Sequence, residues 1–298
     1  MKSFHPDLQR VIRRIVGDAI LEDLDELGDV TSLATIPPAH RSTAHLISRE
    51  NGILCGVEVA AEVFRQRDPS AKIRLMARDG TKIHPGQEVL KVDGHSRSLL
   101  SAERVALNFI QRLSGVATLT RQYVEKVEKM NRKTGRHVRI LDTRKTTPML
   151  RGLEKYAVTR GGGVNHRMGL FDQVLIKDNH LTALIGHCEC PVVEAVSRAR
   201  HRWPKLKVEI ECETLKQVKA AIAARPDIIM FDNMTLAQMR QAVRLIGGRA
   251  KVEASGGITL KRVAAVAATG VDFISVGALT HSAFSVDFTL DFKPRKGV

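Results

Sequence analysis

The sequence predicts an α/β protein in two parts: an N-terminal α+β unit of roughly a hundred residues, then an α/β barrel. Three observations predict it. In the first part, candidate strands surround one helix and are separated by the turn signals Asp79-Gly80 and Pro85-Gly86. In the second, short apolar runs recur, each followed by a helix-like stretch. The later runs repeat about every 20–25 residues, the length of one βα unit. Finally, each run ends in polar residues or glycines: Asp142-Thr143-Arg144-Lys145, Lys177-Asp178-Asn179-His180, Glu211, Asp232-Asn233, Ser255-Gly256-Gly257 and Gly277. Barrels place chemistry at the carboxyl ends of several strands, whereas a doubly wound sheet concentrates it at one switch point. Six such ends favour a barrel, although a closed one has about eight strands.

The elements follow in chain order. His5–Leu24 repeats apolar residues at helical spacing (Leu8, Val11, Ile12, Ile15, Val16, Ala19, Ile20), and Gly28-Asp29-Val30-Thr31-Ser32 breaks it. Thr43–Ser48, Lys72–Ala77 and Gln87–Val92 read as strands, and Val57–Phe64 as the helix among them. Ser98–Met130 reads as a long helical region with a bend or break at Gly115. The apolar runs are Val138–Leu141, Val174–Ile176, Leu206–Ile210, Asp227–Phe231, Lys251–Ala254 and Asp272–Val276. The tail Asp287–Val298 ends in a basic stub expected to be partly mobile.

Composition narrows the function. The chain has 298 residues, 43% hydrophobic and 27% charged, which is ordinary for a globular protein. It contains no apolar run of about 18 residues, so no transmembrane helix is expected. Met1–Leu24 is charged throughout and lacks the apolar stretch of a signal peptide, which predicts a cytoplasmic location. Lys and Arg outnumber Asp and Glu 47 to 32, a net charge of +15. That excess suits either nucleic acid or anionic small molecules. Aromatic residues are only 4%, so stacking platforms are scarce and anionic small molecules are favoured. Cys55, Cys188, Cys190 and Cys212 suggest no disulfide framework, and the spacing in His187-Cys188-Glu189-Cys190 is tighter than a usual zinc pair.

The chemistry concentrates in Asp142–His180, which holds seven Lys or Arg against four Asp or Glu, plus His166 and His180. Arg144, Lys145, Arg167 and Lys177 lie near strand ends. Arginine's planar fork suits carboxylates and phosphates, and lysine acts as a point charge. Arg151, Lys155 and Arg160, on a helix-like stretch, read as solvated scaffold. Ser255-Gly256-Gly257-Ile258-Thr259 lies between a strand and a helix, where glycines let backbone approach an anion and a helix N-terminus offers free N–H groups. Glu211 and Asp232 end successive strands. They either pair with the lysines or hold Mg²⁺ together with substrate phosphates. Glu209, two residues before Glu211, should face the same way but deeper, as a buried paired charge. No serine or cysteine has an obvious partnered base, which points to catalysis by positioning and electrostatics.

Several longer motifs carry a family resemblance. They are Thr143-Arg144-Lys145-Thr146-Thr147-Pro148, Arg151-Gly152-Leu153-Glu154-Lys155-Tyr156-Ala157-Val158, Gly161-Gly162-Gly163-Val164-Asn165-His166-Arg167 and Leu175-Ile176-Lys177-Asp178-Asn179-His180. Gly28–Thr31, Glu103–Asn108, Leu113–Thr118, Glu253–Ile258 and Val276–His281 extend the likeness over nearly the whole chain. The sequence resembles the quinolinate phosphoribosyltransferases, the carboxylating nicotinate-nucleotide pyrophosphorylases. The resemblance implies an N-terminal α+β sandwich (1–117, joined by 282–298) and an open α/β barrel (118–281) of the type II phosphoribosyltransferase kind. It implies a homodimer or higher homo-oligomer in which Arg104 reaches the neighbour's site. It further implies that Arg104, Arg144, His166, Arg167 and Lys177 hold the carboxylates of quinolinate. Lys145, Glu211, Asp232, Ser255, Gly256, Gly257, Val276, Gly277 and Ala278 would hold phosphoribosyl pyrophosphate, and Thr143 would bind substrate. Glu211 and Asp232 would ligate Mg²⁺, and Lys145, Lys177, Glu211 and Asp232 would act at the reaction itself. No nucleic-acid or membrane partner is implied. The main rival is a relative that uses nicotinate, which would need fewer carboxylate clamps.

Overall fold

The computed structural model describes residues 5–294. The chain divides into two compact units. The first takes the described residues up to Arg121, then Thr147–Gly162, then those from Ser282 onward; the second takes Gln122–Thr146 and Gly163–His281. The first unit contains strands β1 (Arg41–Ser48), β2 (Gly52–Ile53), β3 (Lys72–Leu75), β4 (Lys82–Ile83) and β5 (Glu88–His95). The second contains β6 (Arg139–Leu141), β7 (Val174–Ile176), β8 (Val208–Cys212), β9 (Ile228–Asp232), β10 (Lys251–Ser255) and β11 (Phe273–Ser275). The chain then returns to the first unit with β12 (Phe288–Pro294).

In the first unit an antiparallel sheet has the order β12-β1-β5-β3, and β2 pairs with β4. Burial alternates strictly along β1, so one face of this sheet is packed. Helix Pro6–Leu24 opens with proline at its first turn and buries Ile12, Ile15 and Val16. It packs against helix Val57–Arg67. Asp29 does more than break the first helix. Its side chain accepts from the Ser32 N–H at 3.0 Å and caps a short helix, Val30–Thr35. The tail expected to be mobile is ordered as far as β12, where it pairs with β1; the basic stub 295–298 lies outside the described residues.

Three expectations are corrected by the structure. Helix Ser96–Thr134 runs unbroken for 39 residues through Gly115. A Cβ at Gly115 would lie 1.7 Å from the carbonyl oxygen of Phe284, so glycine is required there for close approach and not for a bend. Residues 147–162, assigned to the barrel by contiguity, belong to the first unit. Helix Arg151–Arg160 is tied there by buried polar contacts: Glu154 accepts from Arg112 at 2.8 Å, and Tyr156 Oη donates to Asp79 at 3.0 Å. Lys155 is fully buried, so it is not a solvated scaffold charge.

In the second unit six parallel strands have the order β6-β11-β10-β9-β8-β7. The end strands β6 and β7 are not neighbours, which makes the barrel open. Thr214 and Thr235 each form a capping box with the glutamine three residues on, starting helices Leu215–Ala224 and Leu236–Ile246 directly after β8 and β9. Side chains alternate between faces along each strand. Ile210, Ile229, Phe231, Ala254 and Ile274 are buried on one face, and Glu209, Glu211, Asp232 and Glu253 fall on the other. Among the described residues, no helix is long and apolar enough to cross a membrane.

Candidate active site

A cavity of about 760 Å³ opens at the carboxyl ends of the barrel strands, entirely within the second unit. Its lining follows a period of two: Leu175 in β7 and Lys177 just after it, Met230 and Asp232 in β9, Ser275 in β11 and Gly277 just after it. Thr143, Arg144, Lys145, His166, Arg167, Glu211, Ser255, Gly256, Gly257 and Ala278, all expected, line it as well. Val276 is not part of the wall: its side chain is buried, and its N–H donates to the Leu141 carbonyl at 3.0 Å. Arg104 is exposed on helix Ser96–Thr134 in the first unit and does not line the cavity.

The loop after β6 is shaped by its own polar groups. Thr143 Oγ1 accepts from the Lys145 N–H at 3.1 Å, and Thr280 Oγ1 donates to the Lys145 carbonyl at 2.7 Å. This leaves the side chains of Arg144 and Lys145 to the cavity. A Cβ at Gly277 would lie 3.1 Å from Lys145 Cδ, so glycine lets the lysine stem pass close to the end of β11.

Cations dominate one part of the cavity. Arg167 is buried and donates through Nη1 to the Gln173 carbonyl at 3.2 Å. Burial, then repulsion from Arg144, pull its guanidinium below the ordinary arginine value. The Nε atoms of both arginines are buried without a hydrogen-bond partner. Lys177 Nζ is paired with Glu211 Oε1 at 2.8 Å. Asp232, half-buried on the adjacent strand β9, accepts from the Asn233 amide at 2.9 Å.

Behind the cations lies a buried acidic group. Glu209 on β8 and Glu253 on β10 are both fully buried on the same face of the sheet, with β9 between the two strands, and burial pushes both carboxyls well above their usual range. The charge of Glu209 raises Glu253 further. Glu209 Oε2 lies 3.1 Å from His166 Nε2 and accepts from Gln173 Nε2 at 2.6 Å. The other ring nitrogen of His166, Nδ1, accepts from the Arg167 N–H at 2.7 Å. The neutral ring therefore carries its proton on Nε2, directed at Glu209. Both ring nitrogens are thus engaged within the protein.

The Ser255–Thr259 segment lines the cavity, but it is not a helix terminus. The next helix starts only at Val263 and has five residues. Instead Gly256 (φ +83°) and Gly257 (φ +58°) both have positive φ, backbone that glycine adopts at no steric cost, and both line the cavity. A Cβ at Gly256 would lie 2.2 Å from Asn233 Oδ1. Asn233 itself has φ +53°, a conformation asparagine tolerates better than most residues.

The site expected from sequence omitted Leu175, Asp178, Met230, Asn233, Ile258, Thr259, Ser275 and His281, all of which line the cavity. For Leu175 and Met230 the signal was available: each lies two residues before a polar strand end, hence on the same face. His281 closes the Val276–His281 run and faces Gly277.

The chain's similarities agree with this geometry. A family model described as the quinolinate phosphoribosyl transferase C-terminal domain matches residues 116–291, and one for the N-terminal domain matches residues 29–114. A probable nicotinate-nucleotide pyrophosphorylase [carboxylating] of Bacillus subtilis (strain 168) is 41% identical over 94% of this chain and 93% of its own. A quinolinate phosphoribosyltransferase [decarboxylating] 2b, mitochondrial, of Nicotiana tabacum is 40% identical over 96% of this chain and 83% of its own. Among solved structures, NadC from Streptococcus pyogenes superposes with a TM-score of 0.89 at 38% identity, covering 98% of this chain and 99% of that one.

Proposed function

The chain belongs to the quinolinate phosphoribosyltransferase family, and on that footing we propose that its cavity transfers the 5-phosphoribosyl group from phosphoribosyl pyrophosphate to quinolinate. Pyrophosphate and carbon dioxide leave, and nicotinate mononucleotide remains, a step of NAD biosynthesis. The observation that carries the reading is the arginine pair. Both side chains line one cavity, the charge of Arg144 disfavours that of Arg167, and each has a buried Nε without a partner. A dicarboxylate relieves that arrangement by giving each fork an acceptor.

The chain's residues divide the work as follows. Arg144 and Arg167 grip the two carboxylates, and Lys177 lies beside them. The Gly256-Gly257 turn, where backbone can approach an anion closely, and Lys145 take the phosphates of the second substrate. With both substrates fixed, the pyridine nitrogen faces C1 of ribose, and its lone pair forms the new bond as pyrophosphate departs. Lysine charge offsets the negative charge building on the leaving group, and Glu211 and Asp232 tolerate the positive charge developing on the sugar. The ring is then cationic. It accepts the electron pair of the breaking carbon–carboxylate bond, and the ring carbon takes up a proton.

Glu211 and Asp232 also suit Mg²⁺. They are hard oxygen donors on adjacent strands, and Asp232 carries only an amide donor among the contacts described above. Bound there with pyrophosphate, the ion would neutralise charge on the leaving group. The test is direct. Protein mixed with quinolinate, phosphoribosyl pyrophosphate and Mg²⁺ should release carbon dioxide. Turnover of nicotinate without release from quinolinate would overturn the assignment in favour of the nicotinate-using relative.

The proposal extends to assembly and location. Arg104 is exposed and absent from its own chain's cavity wall, which supports a role in a second copy's site within a homodimer or larger assembly. Arg104→Ala and Lys145→Ala should each be inactive, and should regain activity when dissociated, mixed and reassembled. Mixed assemblies without activity would show that Arg104 does not cross an interface. A cytoplasmic location fits the Bacillus relative, although the Nicotiana relative is named as mitochondrial.

A further inference from the structure

We propose that Glu209 is the positioning residue for Arg167, and that His166 acts through Arg167 and not by holding substrate itself. This inference rests on the quinolinate reading above, because it concerns how the dicarboxylate clamp is held.

Arg167 hangs from Glu209 by two separate routes. One passes through the backbone: the Arg167 N–H donates to His166 Nδ1 at 2.7 Å, and His166 Nε2 faces Glu209 Oε2 at 3.1 Å. The other passes through the side chain: Arg167 Nη1 donates to the Gln173 carbonyl at 3.2 Å, and Gln173 Nε2 donates to the same Glu209 oxygen at 2.6 Å. The two routes hold opposite ends of the arginine and meet on one carboxylate oxygen. Glu209 is fully buried, so its own position is set by packing on β8. Glu253 stands next to it, itself accepting from the Ser275 hydroxyl.

A clamp needs its guanidinium held to within a fraction of an ångström, and a buried acceptor common to both anchors supplies that. His166 has neither ring nitrogen to spare. Nδ1 is an acceptor toward Arg167, and this fixes the proton on Nε2, toward Glu209. The imidazole is accordingly a spacer between carboxylate and backbone. Its amide N–H is anchored as well, on Asp142 Oδ1 at 2.8 Å.

The test compares Glu209→Leu, Glu209→Gln and Gln173→Leu for kinetics with each substrate. Glu209→Leu removes the acceptor of both routes and should raise KM for quinolinate about 10- to 100-fold. KM for phosphoribosyl pyrophosphate should move less than about twofold, since none of these hydrogen bonds involves Gly256 or Gly257. Glu209→Gln keeps an acceptor oxygen and should recover most of the quinolinate affinity. Gln173→Leu cuts one route and should lie between, which preserves the test if Glu209→Leu does not fold. In an Arg167→Ala background, any of these changes should add less than about twofold, because the effect has only that arginine to act through. Equal rises in both KM values, or losses that add to that of Arg167→Ala, would overturn the proposal. Failure of the functional reading looks different: the wild type itself would not consume quinolinate. In that case the ¹⁵N spectrum of His166 still decides the network, with an Nε2–H tautomer expected in the wild type and lost in Glu209→Leu.

Discussion

Arg144→Ala is expected to lower kcat/KM for quinolinate by about 10²- to 10³-fold, comparable to removing one donor from an oxyanion hole. Arg144 lies beside the buried Arg167, close enough for its charge to disfavour the second cation, and its Nε has no partner. These are costs in the unliganded state. They are relieved when two carboxylates arrive, so the interaction is stronger with substrate bound than without. Alanine removes the grip and the repulsion together. Activity should therefore collapse while the thermal midpoint stays unchanged or rises slightly, the usual opposition between a strained site and a stable fold. Paired measurements of steady-state kinetics and thermal unfolding check this. A variant that loses activity and melts well below the wild type would show that Arg144 supports the fold and not the substrate. The loop geometry argues against that outcome, because Thr143 and Thr280 hold the backbone on both sides through contacts that alanine leaves intact.

The barrel was legible in the sequence because a parallel strand changes character where it ends. Along β7, β8, β9 and β10 the apolar run stops at Lys177, Glu211, Asp232 and Ser255, and each of these lines the cavity. What stayed hidden depends on tertiary approach. Gly115 reads as a helix breaker, and only the chain's return at Phe284 explains it. Lys155 reads as a solvated charge, because nothing local marks the burial of its face of the helix. Residues 147–162 are flanked by barrel segments in sequence, and their membership of the first unit is decided by distant partners such as Arg112 and Asp79. The acidic group behind the site was half legible. Alternation placed Glu209 below Glu211 on one face, but its shared role toward His166 and Gln173 needs two further loops to be in place.

Gly256→Ala is expected to be as damaging to the other substrate. Two penalties act together. A non-glycine residue at φ +83° adopts a left-handed conformation that costs about 1–2 kcal/mol. The added Cβ would also lie 2.2 Å from Asn233 Oδ1, 2.6 Å from Asn233 Cγ and 2.8 Å from the Asn233 backbone nitrogen. The side chain could turn away, but the backbone nitrogen cannot without moving the end of β9, where Asp232 sits. The loop must therefore shift, and its backbone N–H groups move with it. A displacement of about 1 Å in a positioning element can cost about 10²-fold in rate, so kcat/KM for phosphoribosyl pyrophosphate should fall by at least that factor. Quinolinate binding should change far less, because the arginine pair is held by Glu209, Gln173 and the loop after β6 and makes no use of Gly256. Asn233→Gly in the same chain offers relief: it removes the clashing side chain and accepts the left-handed backbone at φ +53° more easily than asparagine does. Partial recovery in the double variant would identify the Gly256–Asn233 contact as the cause. No recovery would place the cost in the backbone of Gly256 itself, and an unaffected single variant would remove this loop from the phosphate site.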